Sequence, residues 1–306
     1  MEAQQTRAQQ TEAHQTEAQQ TQALARVPQA PAVGGEARSE PKTRGRSIVI
    51  TSGKGGVGKT TTTANVGIAL AARGARVVLV DADVGLRNLD LVLGLESRVR
   101  FHLLDVIEGT APLDDALVRD KRVPTLWLLA AAQNREKDDV DTEAMCALIE
   151  RLRERFDYVI VDSPAGIETG FKNAVAGADE AIVVCTPEVA AVRDVDRVVG
   201  LLGNRISVQL VVNRIRPALV RKGKMLSVED VNSILRLPLL GVLGDAPDVI
   251  VATNRGEPVA LDETAPIAAG YRAIAARIAG EDVAAPTADE PAGFFEKLGS
   301  LFGGRH

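Results

Sequence analysis

Eight consecutive residues, Gly53-Lys54-Gly55-Gly56-Val57-Gly58-Lys59-Thr60, carry the chemistry most easily read from this chain. They fit G-x-x-x-x-G-K-[ST], a loop whose backbone N–H groups curl around a polyphosphate. An apolar β-branched run, Ile48-Val49-Ile50, precedes the loop, and a helical stretch from Thr61 to Arg73 follows it. Strand, glycine loop and helix form the context this pattern needs, because the helix N-terminus adds partial positive charge where phosphates would sit. Lys59 is expected to reach the β- and γ-phosphates of ATP, and Thr60 to ligate Mg2+. A glycine turn with no ligand is the plain alternative; position, context and the Lys-Thr pair all speak against it. Lys54 is a second cation that such a loop does not need. It would crowd Lys59 if both served one nucleotide, so the economical reading is that it reaches the nucleotide of a partner subunit. The alternative is a solvated loop lysine.

Two further strand ends bring carboxylates to the same place. Tyr158 to Val161 reads as a buried strand ending in Asp162, where a Walker-B carboxylate belongs and would hold the Mg2+ shell through water. Gly166, just beyond, would let backbone approach the γ-phosphate. Val77–Val80 leads into Asp81 and Asp83. Phosphoryl transfer to water needs positioning and electrostatics more than a strong base. Asp83 is therefore expected to position the attacking water, and Asp81 to support the Mg2+ site. Either carboxylate could instead cap its loop.

Positioning these residues requires a regular scaffold. Expected strands are Ile48–Thr51, Val77–Val80, Leu126–Leu129, Tyr158–Val161, Ala181–Cys185, Val208–Val212 and Leu239–Val242. Expected helices between and after them include Thr142–Arg155, Val189–Leu202, Val228–Leu235 and Ala265–Ala279. This alternation predicts an α/β fold: a doubly wound, mainly parallel sheet with helices on both faces and right-handed crossovers. Nucleotide is then expected beyond the C-terminal strand ends.

Composition agrees. The chain has 306 residues, 45% of them hydrophobic but only 3% aromatic, so the core must be Val, Leu, Ile and Ala, as in a covered parallel sheet. A net charge of −5 does not favour nucleic-acid binding by bulk charge. Cys146 and Cys185 fit no metal spacing and are expected to be free, buried thiols in a reducing cytosol. No apolar run reaches the length of a membrane span, and the N-terminus lacks the apolar region of a signal peptide.

Four segments follow from the pattern. Residues 1–45 repeat A-[QH]-Q-T-x from Ala3 to Ala23 and then meet Pro28, Pro31 and Pro41. A period of five builds no apolar stripe, so a disordered tail is expected. Residues 46–280 hold the nucleotide-binding domain. Residues 281–293 read as a flexible linker. In residues 294–304, Phe294, Phe295, Leu298, Leu301 and Phe302 recur at helical spacing opposite Glu296, Lys297, Gly299 and Ser300. This stripe is expected to be an amphipathic membrane-targeting helix; a helix docked on its own domain is the alternative. With Lys297 and Arg305 its only basic companions, one copy is expected to bind weakly and reversibly. Two copies on one dimer gain by effective concentration.

The G-K-G-G-V-G-K-T form resembles the deviant Walker loop of the MinD/ParA ATPases, which dimerise face to face around two ATP molecules. Further motifs resemble the septum-placing branch of that family: Asp81–Asp90 with Gly94, Asp162–Glu168, Pro187-Glu188-Val189 with Val192-Arg193-Asp194, Met225–Val231, and Asn254–Val259. The match covers about residues 46–280 and, separately, the extreme C-terminus. The resemblance implies a P-loop NTPase of SIMIBI-like type that hydrolyses ATP with Mg2+ as a switch. It implies nucleotide contacts from Gly53 through Lys54, Gly55, Gly56, Val57, Gly58, Lys59 and Thr60 to Thr61, with adenine recognition near Asn213. It implies Lys54 acting in trans and hydrolysis assisted by Asp83. Glu188, Asp194 and Asp196 would lie on the dimer or partner surface. Implied partners are a second copy, a MinC-type inhibitor of division-ring assembly, a MinE-type or polar-scaffold regulator and an anionic lipid membrane, with no specific nucleic acid. The implied location is the cytoplasm and, reversibly, the inner face of the cell membrane. The chain departs from the family at Gly244-Asp245-Ala246-Pro247, which lacks the usual Pro-Glu-Asp, in its long N-terminal segment and in its few C-terminal basic residues. A ParA-type partitioning ATPase, a flagellar-placement ATPase and a P-loop scaffold without turnover stay open as alternatives.

Overall fold

Strands β1 (Arg46–Thr51), β2 (Val77–Asp81), β5 (Tyr158–Asp162) and β6 (Glu180–Cys185) are runs of Val, Ile, Leu and Ala because both their faces are covered. Side chains alternate across a strand. Ile48 and Ile50 therefore enter one core layer, and Val49 the other. The computed structural model describes residues 44–133, 141–167 and 169–284. Within them, β3 (Leu117–Arg119), β4 (Leu126–Leu129), β7 (Ser207–Ile215) and β8 (Leu239–Gly244) complete a sheet of order β3-β4-β2-β5-β1-β6-β7-β8. Neighbours are parallel except for β3 and β4.

Helices cover both faces. One layer contains α1 (Lys59–Ala71), α2 (Leu89–Leu93), α10 (Pro247–Asn254) and α11 (Pro266–Ile278). The other contains α3 (Leu103–Ile107), α4 (Leu113–Ala116), α5 (Thr142–Arg153), α6 (Thr169–Val175), α7 (Val189–Leu202) and α9 (Val228–Leu235), with the short α8 (Pro217–Val220) beside them. Starts are set by local chemistry. The Ser227 hydroxyl accepts from the Asp230 N–H while the Asp230 carboxylate accepts from the Ser227 N–H, so α9 begins with two orphan donors satisfied.

The expected doubly wound sheet is present, and each expected strand lies inside an observed one. Antiparallel β3 was not expected: three residues are too few to show a period of two. The residue before β1 is also fastened in place. The N–H of Gly45 donates to the Arg153 carbonyl at 3.0 Å, and Arg153 Nε donates to the Gly45 carbonyl at 2.7 Å. A Cβ on Gly45 would lie 2.0 Å from the Phe156 carbonyl oxygen. Cys185 is buried as expected, whereas Cys146 is half-buried; both are free. The amphipathic stripe at 294–304, most of the 281–293 linker and residues 1–43 lie outside the described residues. Among the described residues, no helix is long and apolar enough to cross a membrane.

Candidate functional site

The register of the sheet creates the site. β5 lies between β1 and β2, and Asp81 and Asp162 are direct partners at the C-terminal ends of β2 and β5. The glycine loop rises from the end of neighbouring β1 into α1. A cleft of about 710 Å3 opens there, lined by the loop, Asp83, Asn88, Leu91, Arg214 and Thr253–Gly256.

Two glycines of the loop are required by close contacts. Gly58 has φ +95°, and a Cβ there would lie 2.4 Å from Asn213 Nδ2. At Gly53 a Cβ would lie 2.4 Å from the backbone carbonyl carbon of Asp194 in α7. The loop is thus braced from behind by α7 and by the end of β7, which leaves its N–H groups free to face a ligand. Asn213 supplies the second brace: its Nδ2 donates to the Val57 carbonyl at 2.8 Å, and its Oδ1 accepts from the Arg214 N–H at 2.9 Å. Asn213 thus braces the loop, and the cleft wall at this point is Arg214. Arg214 was missed, because its positive φ of 60° turns it towards the cleft and no spacing rule reveals that.

Lys59 and Asp162 meet in the interior. Lys59 Nζ lies 3.4 Å from Asp162 Oδ1, with the two side chains 8% and 1% exposed. The Thr63 hydroxyl, one turn along α1, lies 3.0 Å from the same oxygen. Thr63 was also missed, although its spacing of four from Lys59 puts both on one helix face. Burial pushes the Asp162 carboxyl above its ordinary range, while Lys59, Thr60 and Thr63 pull it back. Asp81 is pushed up to about 7, first by burial and then by the Asp162 charge.

Asp81 sits at the base of the loop that follows β2. Its Oδ1 accepts from the Asp83 N–H at 3.0 Å and its Oδ2 from the Leu89 N–H at 3.1 Å. Both oxygens therefore fasten the loop that carries Asp83. Asp83 itself lies at the cleft, 8% exposed.

Lys54 leaves the loop sideways. Its Nζ pairs with Glu188 Oε2 at 2.8 Å, at the N-terminus of α7. The pair holds the Glu188 carboxyl below its usual range. Asp194 packs on Gly53, and Asp196 is exposed on a second, shallower groove of about 350 Å3 with Val189, Val192, Arg193, Leu226 and Ile234. The loop, Lys59, Thr60, Asp83 and Asp162 are thus brought together, while Glu188, Asp194 and Asp196 form a flank along α7.

The donor set suits magnesium and a polyphosphate. Two buried carboxylates stand beside one buried ammonium, next to the Thr60 hydroxyl. Among the described residues, no three His, Cys, Asp or Glu side chains form a cage that could hold a metal alone. A hard cation bound here would take its remaining ligands from phosphate and water, as Mg2+ does.

Comparison with known proteins agrees with this geometry. Residues 48–259 match the family described as the CobQ/CobB/MinD/ParA nucleotide binding domain. The chain is 54% identical over 241 residues to the septum site-determining protein MinD of Synechocystis sp., covering 78% of this chain and 91% of that protein. It is similar to a chain of the MinC:MinD cell division protein complex of Aquifex aeolicus, with a TM-score of 0.74, 48% identity and coverage of 78% and 98%. It is also similar to MinD of Pyrococcus horikoshii solved with Mg-ADP, with a TM-score of 0.70, 30% identity and coverage of 76% and 95%.

Proposed function

The chain belongs to the MinD family of septum site-determining ATPases, and from that premise we propose that it works as an ATP-driven dimerisation switch placing the division septum. As a member of that family it hydrolyses ATP with Mg2+. The N–H groups of the loop and Lys59 hold the phosphates, Thr60 and Asp162 hold the metal, and Asp83 orients the attacking water. Bound Mg2+ supplies charge neutralisation on the phosphate oxygens. The loop and helix N-terminus are built before ligand arrives, so little reorganisation is needed.

The observation that carries the switch is Lys54, an additional loop cation paired with Glu188 at the rim of the cleft rather than with a site carboxylate. In a face-to-face dimer it exchanges Glu188 for the phosphates of the partner's nucleotide. The rim supports such a face, because Leu86 and Leu91, which line the cleft, are exposed large apolar residues. Residues 294–304 then bring two weak anchors to an anionic membrane. The groove beside α7, with Asp196 on its edge, receives a MinC-type inhibitor, and a MinE-type or polar-scaffold regulator stimulates hydrolysis.

Light scattering with a non-hydrolysable ATP analogue tests the switch. Wild type is expected to run as a dimer and Lys54→Ala as a monomer that still binds the analogue; a dimeric Lys54→Ala would remove the trans role. Glu188→Gln frees Lys54 from an exposed pair contributing about 0.2–1 kcal/mol in each subunit, so with two pairs released per dimer, dimerisation is expected to tighten by no more than about thirtyfold.

Asp83→Ala is expected to bind ATP and dimerise but to turn over on the order of 100-fold more slowly, since the water loses its positioning group. Steady-state phosphate release at saturating ATP measures this, and an unchanged rate reassigns the role. A DNA-binding partitioning reading predicts duplex binding in the buffer used for liposome sedimentation. The chain's charge of −5 disfavours it.

A further inference from the structure

The hairpin turn between β3 and β4 contains a buried carboxylate, Asp120, that no nucleotide-binding argument uses. It is 1% exposed and is held by Arg122, whose backbone N–H and Nε donate to Oδ1 at 2.6 and 3.2 Å and whose Nη2 donates to Oδ2 at 2.7 Å. Fixed in this way, the guanidinium reaches two carbonyls from different parts of the chain. Nη2 donates to the Leu93 carbonyl at 2.5 Å, and Nη1 to the Gly256 carbonyl at 2.9 Å. Leu93 is the last residue of α2; Gly256 follows α10 by two residues.

These two carbonyls belong to the two walls of the cleft. Leu91, Val92 and Gly94 line one side, and Thr253–Gly256 the other. Behind the cleft the walls come close at two glycines: a Cβ on Gly256 would lie 2.6 Å from Gly94 Cα, and one on Gly94 would lie 2.7 Å from the Gly256 carbonyl oxygen. The first wall is continuous with the loop carrying Asp83. That loop is tied at one end by Asp81, which accepts from the N–H groups of Asp83 and Leu89. Its exit is tied by Arg87, which donates to buried Asp90 at 2.6 Å. Helix α2 is only five residues long, too short to hold a position by itself. Asp81 fixes its beginning, and the Arg122 fork fixes its end.

We propose that Arg122, oriented by Asp120, is a positioning residue for ATP hydrolysis: it fixes the spacing of the cleft walls at the Gly94–Gly256 contact and thereby keeps the Asp83 loop in register with the γ-phosphate. The inference rests on Asp83 being the water-positioning group. A planar fork is required, because one head must satisfy a carboxylate and two diverging carbonyls together; a lysine ammonium can neutralise Asp120 but cannot span both carbonyls.

The test compares Arg122→Lys, which keeps a cation beside Asp120, with Gly256→Ala, which forces the same contact apart from the other side. Their double variant, Asp83→Ala and a core control, Leu148→Ala in α5, complete the set. Each is measured for kcat, for affinity towards a fluorescent ATP analogue and for melting temperature. The expected result is a fall in kcat of about tenfold in each single joint variant, with ATP affinity within about twofold of wild type. The double variant is expected to be no slower than the slower single, because both act on one contact. Leu148→Ala is expected to melt lower with kcat unchanged in its folded state. The proposal is overturned if both joint variants keep wild-type kcat while folded, if they lose affinity and not kcat, or if their losses multiply. An unchanged kcat in Asp83→Ala would instead remove the premise.

Discussion

Lys59→Ala is expected to abolish productive Mg-ATP binding and to lower turnover by about three orders of magnitude or more, the scale of removing a cation that meets transition-state charge in phosphoryl transfer. The argument is local. Lys59 is 8% exposed, so its ammonium acts where water screens little. It is also the buried cation facing Asp162 at 3.4 Å. Its removal leaves Asp162 and Asp81 side by side at adjacent strand ends, both already pushed towards the protonated form by burial. The variant is therefore expected to lose stability along with function, because removing one partner of a buried pair costs several kcal/mol. Titration with a fluorescent ATP analogue, alongside thermal melting without nucleotide, separates the two effects. Wild-type affinity in the variant would show that the loop N–H groups alone hold the phosphates.

Leu298→Glu is expected to abolish membrane recruitment while leaving ATP binding and dimerisation intact. Leu298 stands in the middle of the stripe Phe294, Phe295, Leu298, Leu301, Phe302. Burying five such side chains is worth roughly 5–10 kcal/mol before the costs of ordering and partial insertion are subtracted. A carboxylate in the middle of the stripe must stay in headgroup water or be neutralised, at several kcal/mol, which is comparable to the whole net affinity of one anchor. With only Lys297 and Arg305 basic in this segment, salt is expected to weaken wild-type binding only modestly. Sedimentation with anionic liposomes in ATP and in ADP measures both points. Wild-type pelleting of Leu298→Glu, as of Phe295→Glu, would remove the membrane assignment. Loss of dimerisation in either variant would mean that the stripe packs on the ATPase body.

The loop, the fold class and the cluster of Lys59, Thr60, Asp83 and Asp162 were legible in the sequence because each depends on short-range chemistry. A glycine loop with a Lys-Thr pair between a β-branched run and a helix suits a polyphosphate, and carboxylates at the C-terminal ends of parallel strands gather at one edge of the sheet. What the sequence left open was set by contacts between residues far apart in the chain. Asn213 braces the Val57 carbonyl, 156 positions away, instead of facing the cleft. Asp81 fastens its own loop, because the N–H groups of Asp83 and Leu89 converge on its two oxygens. Lys54 finds Glu188 at 134 positions' separation, and Arg122 finds Gly256 at the same separation. Periodicity reports which face of an element is buried, but which backbone carbonyl a particular guanidinium or amide will meet depends on how the layers stack. Sequence alone determined the chemistry available to this protein; the packing of α2, α7 and α10 around the loop decided which side chains perform it and which hold the others in place.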